Sequence, residues 1–170
     1  MKAKQKSART FGVEIEFTST HLTRQEIARK LYDVGINIAA ENYNHNVANN
    51  WKVITDSSCG YEVVSPILQG QSGLNETRLI LETMNEMDGV AINRECGIHV
   101  HVHLEGYNPH NVANLMKTYM KYESEIDMTL PPSRRATHGR GNRYAAGLVQ
   151  AHASNWGLND DYDTQYQRAF

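Results

Sequence analysis

The segment Cys96-Gly97-Ile98-His99-Val100-His101-Val102-His103 sets three imidazoles two residues apart. Successive side chains of a strand leave opposite faces, so His99, His101 and His103 share one face while Ile98, Val100 and Val102 fill the other. Neutral imidazoles presented in a row ligate metal or donate to phosphate oxygens. Packing rarely places three histidines on one face, although His103 by itself fits an ordinary core position. Cys96 brings a thiol beside them. With His99 it lacks a second ligand pair at the usual spacing of a zinc site, and it reads as structural rather than as a nucleophile.

Glu14 and Glu16, in Phe11-Gly12-Val13-Glu14-Ile15-Glu16-Phe17-Thr18, are also two residues apart. On a strand this spacing puts their Cα atoms about 6–7 Å apart with both carboxylates on one face. Two such groups repel unless something positive relieves them, and a divalent cation is the usual solution. A solvent-facing strand surface is the plain alternative. Glu62 is a lone acid in the apolar run Tyr61-Glu62-Val63-Val64. Buried, it needs a cation or donors; at a sheet edge it needs neither. Arg134, Arg135, Arg140 and Arg143 gather around Asn142 and Tyr144. Guanidinium forks match phosphate and carboxylate oxygens, so this stretch reads as a nucleotide or substrate clamp or as a solvated basic loop.

These groups need strands to aim them. Residues 11–18 alternate apolar and charged side chains, which predicts a strand with Val13, Ile15 and Phe17 on its apolar face. Thr23-x-x-Glu26 is a capping box ahead of Ile27, Leu31 and Val34, with Gly35 as the stop. The Asn-rich stretch 41–50 reads as a loop. Residues 51–55 and 61–64 read as two strands about the turn Asp56-Ser57-Ser58-Cys59-Gly60, with Pro66 closing the second. A helix is expected over 74–88, with Leu74, Ile80, Leu81 and Met84 as its apolar positions and Gly89 ending it. Strands are expected at 90–93 and 98–104. The longest helix is expected over about 108–128, with Asn108 as cap and Pro109 in its first turn. The sum is an α+β domain with a largely antiparallel sheet and helices packed on one face.

A chain of 170 residues with 40% hydrophobic and 21% charged residues suits one soluble domain with a real core. The formal net charge of −2 argues against a surface built for nucleic acid. Residues 1–10, with Lys2, Lys4, Lys6 and Arg9, read as a flexible basic tail ahead of a domain over 11–170. No apolar stretch follows that tail or reaches the length needed to cross a bilayer. Two cysteines make no disulfide framework. The expectation is a cytoplasmic protein without a membrane partner and with reduced thiols.

Four segments in order resemble the amidoligase family: Phe11 to Phe17; Asp56-Ser57-Ser58 with Glu62-Val63-Val64-Ser65-Pro66; Cys96 to Val102; and Ser133-Arg134-Arg135 with Asn142-Arg143-Tyr144. The resemblance spans about residues 11–145 and implies a sheet like that of the glutamine synthetase catalytic domain. It also implies an ATP-dependent ligase, found in bacteria and phages. Such an enzyme joins a small-molecule or peptide carboxylate to an amine through an acyl phosphate, with magnesium or manganese beside the nucleotide. By the same resemblance Glu14 and Glu16 serve two metal sites, with Glu62 in that of Glu16. His99 stands beside the metal that bridges the ATP phosphates, and His101 faces the nucleotide. Arg135 and Arg143 contact phosphate or acyl phosphate. The family adds a distal strand with a Glu-x-Arg motif, and the residues after Tyr144 contain no Glu and one arginine, Arg168. The fold would then lack its C-terminal part, as a truncated or reduced form, with a homo-oligomer possible or a partner supplying that motif. The alternative is a catalytically incomplete relative serving as a binding or interaction module. A third reading is a metal-dependent hydrolase built on the histidine strand.

Overall fold

Alternation of apolar and acidic residues makes β1 (Thr10–Ser19) the organising strand of the protein. Val13, Ile15 and Phe17 are buried on one face, while Glu14 and Glu16 leave by the other and stay partly accessible. The structure is a computed structural model that describes residues 9–132 and Arg135. The chain divides into two units, Met1–Glu105 and Gly106–Phe170.

In the first unit, α1 (Arg24–Asp33) starts from the reciprocal cap its spacing predicts. The Glu26 N–H donates to the Thr23 side chain, and the Thr23 N–H donates to the Glu26 carboxylate at 2.8 Å. Ile27 and Leu31 are buried, whereas Val34, expected with them, lies past the last turn and is exposed. After β2 (Ile38–Ala40) and the loop through residue 50 come β3 (Trp51–Asp56) and β4 (Gly60–Val64), an antiparallel hairpin. Asp56 Oδ1 accepts the N–H groups of Ser58 at 2.8 Å and Cys59 at 2.9 Å, and Gly60 takes φ 109° to bring the chain back. Then follow β5 (Leu68–Gln69), α2 (Gly70–Asn85), β6 (Val90–Ala91) and β7 (Ile98–Val102).

Both β4 and β7 pair antiparallel with Glu14 and Ile15, so they flank β1 on opposite sides. β5 and β6 pair with the two ends of β1, and β3 lies outside β4. Every pairing among the described residues is antiparallel except β2 with β3, which makes an open, mixed and mostly antiparallel sheet in an α+β fold. Trp51, Phe17, Ile27, Leu31, Ile80, Val53 and Val63 are fully buried between the odd-numbered face of β1 and the helices α1 and α2. Each such side chain contributes about 1.5–3 kcal/mol of hydrophobic stabilisation.

Several expectations are corrected. α2 begins at Gly70 rather than Leu74, because Gly73 lets the helix close on the sheet. A Cβ there would meet Leu68 Cβ at 2.7 Å and Phe11 Cζ at 3.1 Å. With that face turned inward, Gly73, Ile80 and Met84 are buried, while Leu74 and Leu81 are exposed. β6 and β7 are shorter than expected, and β2 and β5, of three and two residues, were too brief to show a period.

Ile98, Val100 and Val102 do share the apolar side of the sheet, opposite Ile15, Val13 and Phe11. They are nevertheless 60%, 61% and 52% exposed, because α1 and α2 pack over β2, β3 and β5 instead. In the second unit, the single helix expected to 128 is two: α3 (Pro109–Lys121) and the short α4 (Glu123–Asp127). Tyr122, at φ −111° and ψ 13°, interrupts them. Asn108 caps α3 as expected, with Asn111 returning the bond.

Candidate functional site

The polar face of the sheet is assembled by register. Glu14 of β1 stands opposite His99 of β7, Gly12 opposite His101, and Glu16 opposite Glu62 of β4. Residues 14 and 99 are 85 positions apart in the chain, and only the pairing of β1 with β7 brings them together. Glu14 Oε2 lies 3.1 Å from His99 Nδ1 and 3.2 Å from His101 Nε2, so one carboxylate oxygen serves two imidazoles. Glu14, Glu62 and His99 each offer a ligand atom, and these atoms lie within 4.8 Å of one another.

Glu16 is held differently. Its Oε2 accepts the Gly97 N–H at 2.7 Å, while its own N–H donates to the Gly97 carbonyl at 3.0 Å. Its Oε1 remains 3.9 Å from His99 Nε2. Glu62 stands opposite Glu16 in register, and its carboxylate also comes within 4.8 Å of ligand atoms of Glu14 and His99. His103 lies just past the end of β7, where its Nδ1 is 3.9 Å from Glu105. Arg135 belongs to the second unit, and its Nε donates to the Leu130 carbonyl at 2.8 Å. Arg134, Arg140, Asn142, Arg143 and Tyr144 lie outside the described residues, as do the residues after Tyr144.

Electrostatics separates the two grouped carboxylates. Burial pushes the Glu62 carboxyl up to about 7, reinforced by the like charges of Glu14, Asp56 and Glu16. For Glu14, burial pushes the same way, but hydrogen bonds to His101 and His99 outweigh it and hold the group below the ordinary carboxylate range. A partly buried carboxyl made reluctant to ionise by its neighbours' negative charge suits a site that receives a cation. The Cys59 thiol is pushed up to about 12 by burial and by its hydrogen bond to Asp56, which keeps it inert as a nucleophile. Cys96 is buried, and its thiol donates to Asn93 Oδ1 at 3.3 Å.

Sequence reasoning missed two contributors. The first is the Gly97 N–H on Glu16. A Cβ on Gly97 would meet His99 Nε2 at 3.1 Å and Glu16 Oε2 at 3.4 Å, so the absent side chain leaves room for both. The glycine ahead of the histidine run was the available signal. The second is Ser65, whose Oγ accepts the Val13 N–H at 2.8 Å and closes the β1–β4 ladder as β4 ends. Nothing in its residue type announced that.

The family described as "Putative amidoligase enzyme" matches residues 7–166. The same chain matches no curated protein and no solved structure.

Proposed function

The chain belongs to the amidoligase family, and on that premise we propose that it is an ATP- and divalent-cation-dependent ligase joining a carboxylate to an amine. The observation that carries the metal part of this reading is the convergence of Glu14, Glu62 and His99 within 4.8 Å on one sheet face. Two carboxylates and an imidazole form a donor set that suits magnesium or, with its greater tolerance of nitrogen, manganese. A sheet with helices on its apolar face and carboxylates on the other supports the likeness to the glutamine synthetase catalytic domain.

A bound cation would supply positive charge beside the ATP phosphates during phosphoryl transfer to the substrate carboxylate. The remaining work falls to the chain. Glu14, Glu62 and His99 would hold the cation, and the Gly97 N–H fixes Glu16, which would hold a second one. His99 orients Glu14, and His101 presents its other nitrogen to a phosphate oxygen. Arg135 and Arg143 hold phosphate oxygens. The substrate carboxylate oxygen bonds to phosphorus as ADP leaves. The amine nitrogen then bonds to the acyl carbon as phosphate leaves, and the amine gives up a proton. No nucleophile from the protein is required, which agrees with the inert Cys59 and the structural setting of Cys96. No helix among the described residues is long and apolar enough to cross a membrane.

Calorimetric titration with ATP, with and without magnesium, tests the reading. Saturable binding that needs magnesium is expected, reversed by EDTA and lost in Glu14→Gln and Glu62→Gln. His103→Ala should bind nearly as wild type does, while His99→Ala binds at least tenfold more weakly. Magnesium-independent binding, or unchanged binding in both glutamine variants, would remove the metal site.

A further inference from the structure

Away from the carboxylate face, a cavity of about 380 Å³ opens between the loop before β3, the segment joining β4 to β5, and the first turns of α2. Val47, Ala48, Ile67 and Leu68 give it an apolar wall, and Ser72 and Glu76 give it a polar one. Leu68 pairs with Phe11 on the odd-numbered, helix-covered side of the sheet, so this cavity and the Glu14 group lie on opposite faces. Its size is that of a small-molecule site.

Its chemistry is one-sided. Glu76 Oε2 accepts the Trp51 indole N–H at 3.1 Å, and Oε1 accepts the Ser72 hydroxyl at 3.4 Å. Both donors are neutral, and among the described residues no cation pairs with Glu76. Two neutral donors thus hold a half-buried carboxylate in the polar wall of the cavity. At the cavity, Val47 and Ile67 from two separate segments are 77% and 67% exposed, apolar surface left in water without a cover.

The Val47 wall is nonetheless fixed in place. Lys52 is buried, and its ammonium donates to the Asn44 carbonyl at 3.1 Å, Asn44 Oδ1 at 2.8 Å and the Asn46 carbonyl at 2.9 Å. Three donors meet three acceptors, so the strand holds the segment that leads into Val47. A prearranged wall of apolar side chains in the same cavity as a carboxylate acceptor fits a ligand with an apolar body and one positive, hydrogen-bond-donating end.

We propose that this cavity is a second ligand site, separate from the carboxylate face, for a small molecule carrying a primary ammonium on an apolar body. Glu76 pairs with the ammonium; Val47, Ala48 and Ile67 cover the apolar body; and Lys52 positions the wall. The inference does not rest on the ligase reading.

The indole N–H of Trp51 reports on Glu76 directly, so the test is a titration followed by its amide-type NMR cross-peak, with n-hexylamine as probe and hexan-1-ol as its neutral counterpart. A saturable shift is expected with hexylamine at neutral pH, at least tenfold tighter than with the alcohol. Glu76→Gln keeps an acceptor for the indole, and in it amine and alcohol should bind alike. Ile67→Lys, which tethers an ammonium at an exposed position, should abolish the response whether or not the Glu76 variant folds. Glu14→Gln should bind hexylamine as wild type does, even where it has lost magnesium-dependent nucleotide binding. Equal affinity of wild type for amine and alcohol, or no saturable shift, overturns the proposal. So does loss of the response in Glu14→Gln, which would place the amine on the carboxylate face.

Discussion

Two carboxylates of the same residue type, Glu14 and Glu62, behave differently because their partners differ. Glu14 shares one oxygen between two imidazoles, whereas Glu62 meets mostly like charge in a partly buried setting. The Glu62 carboxyl, pushed up to about 7 from 4.5, binds its proton more tightly in the folded chain than in the unfolded one. Its stabilising contribution is therefore fully present below about pH 4.5 and is lost as pH rises through about 7. Without metal, the melting temperature of Glu62→Gln relative to wild type should rise across that window, and a flat difference would contradict the assigned environment. Manganese affinity should run the opposite way in wild type. It should strengthen as pH rises through about 7, since only the ionised group ligates, and Glu62→Gln should flatten that profile. The acids themselves were legible in the sequence, but which of them converge was not. Period two gives the face of each strand, and the pairing partner comes from register.

At the scale of elements, the site depends on how short connections aim the strands. The β3–β4 turn is tied by Asp56, whose hydrogen bonds to Ser58 and Cys59 outweigh burial and lower its carboxyl to about 2. This depressed group stabilises the fold above about pH 3.8, and the contribution is lost as pH falls through about 2. Asp56→Ala should cost roughly 1–2 kcal/mol in urea unfolding at neutral pH, with less cost in strong acid; an unchanged midpoint would remove the turn from the account. Lys52 performs the same service for the loop before β3. Lys52→Met would leave three loop acceptors without their donor, at about 1–3 kcal/mol, and should make residues 41–50 the first site of limited proteolysis. The hairpin was readable from its turn chemistry, as was the α1 capping box. The anchoring role of Lys52 was not, because nothing in Trp51-Lys52-Val53 separates a buried lysine from an exposed one.

The whole molecule places its described core and its candidate metal group in one unit. The cluster from Val13 to Met87 and the Glu14, Glu62 and His99 group all fall within Met1–Glu105. A fragment of residues 1–105 should therefore fold and bind manganese with an affinity near that of the full chain. If Arg135 and Arg143 hold phosphate, the same fragment should bind ATP at least tenfold more weakly. An unfolded fragment by circular dichroism, or undiminished nucleotide binding, would refute one part or the other.

What the sequence by itself determined is local: the strand at Glu14, the cap at Thr23, the turn at Asp56, the histidine face of β7 and the family to which these motifs belong. Periodicity and capping act within a few residues, and the chain carries them openly. The tertiary structure alone decided that His99 faces Glu14, that Gly97 holds Glu16, that Glu62 sits among like charges, and that Lys52 anchors a loop. It also decided which apolar stripes are covered, leaving Val100 in water while burying Val13 directly across from it. The physical reason is that long-range pairing is set by the packing of the whole sheet and its helices, and no short stretch of residues encodes that sum.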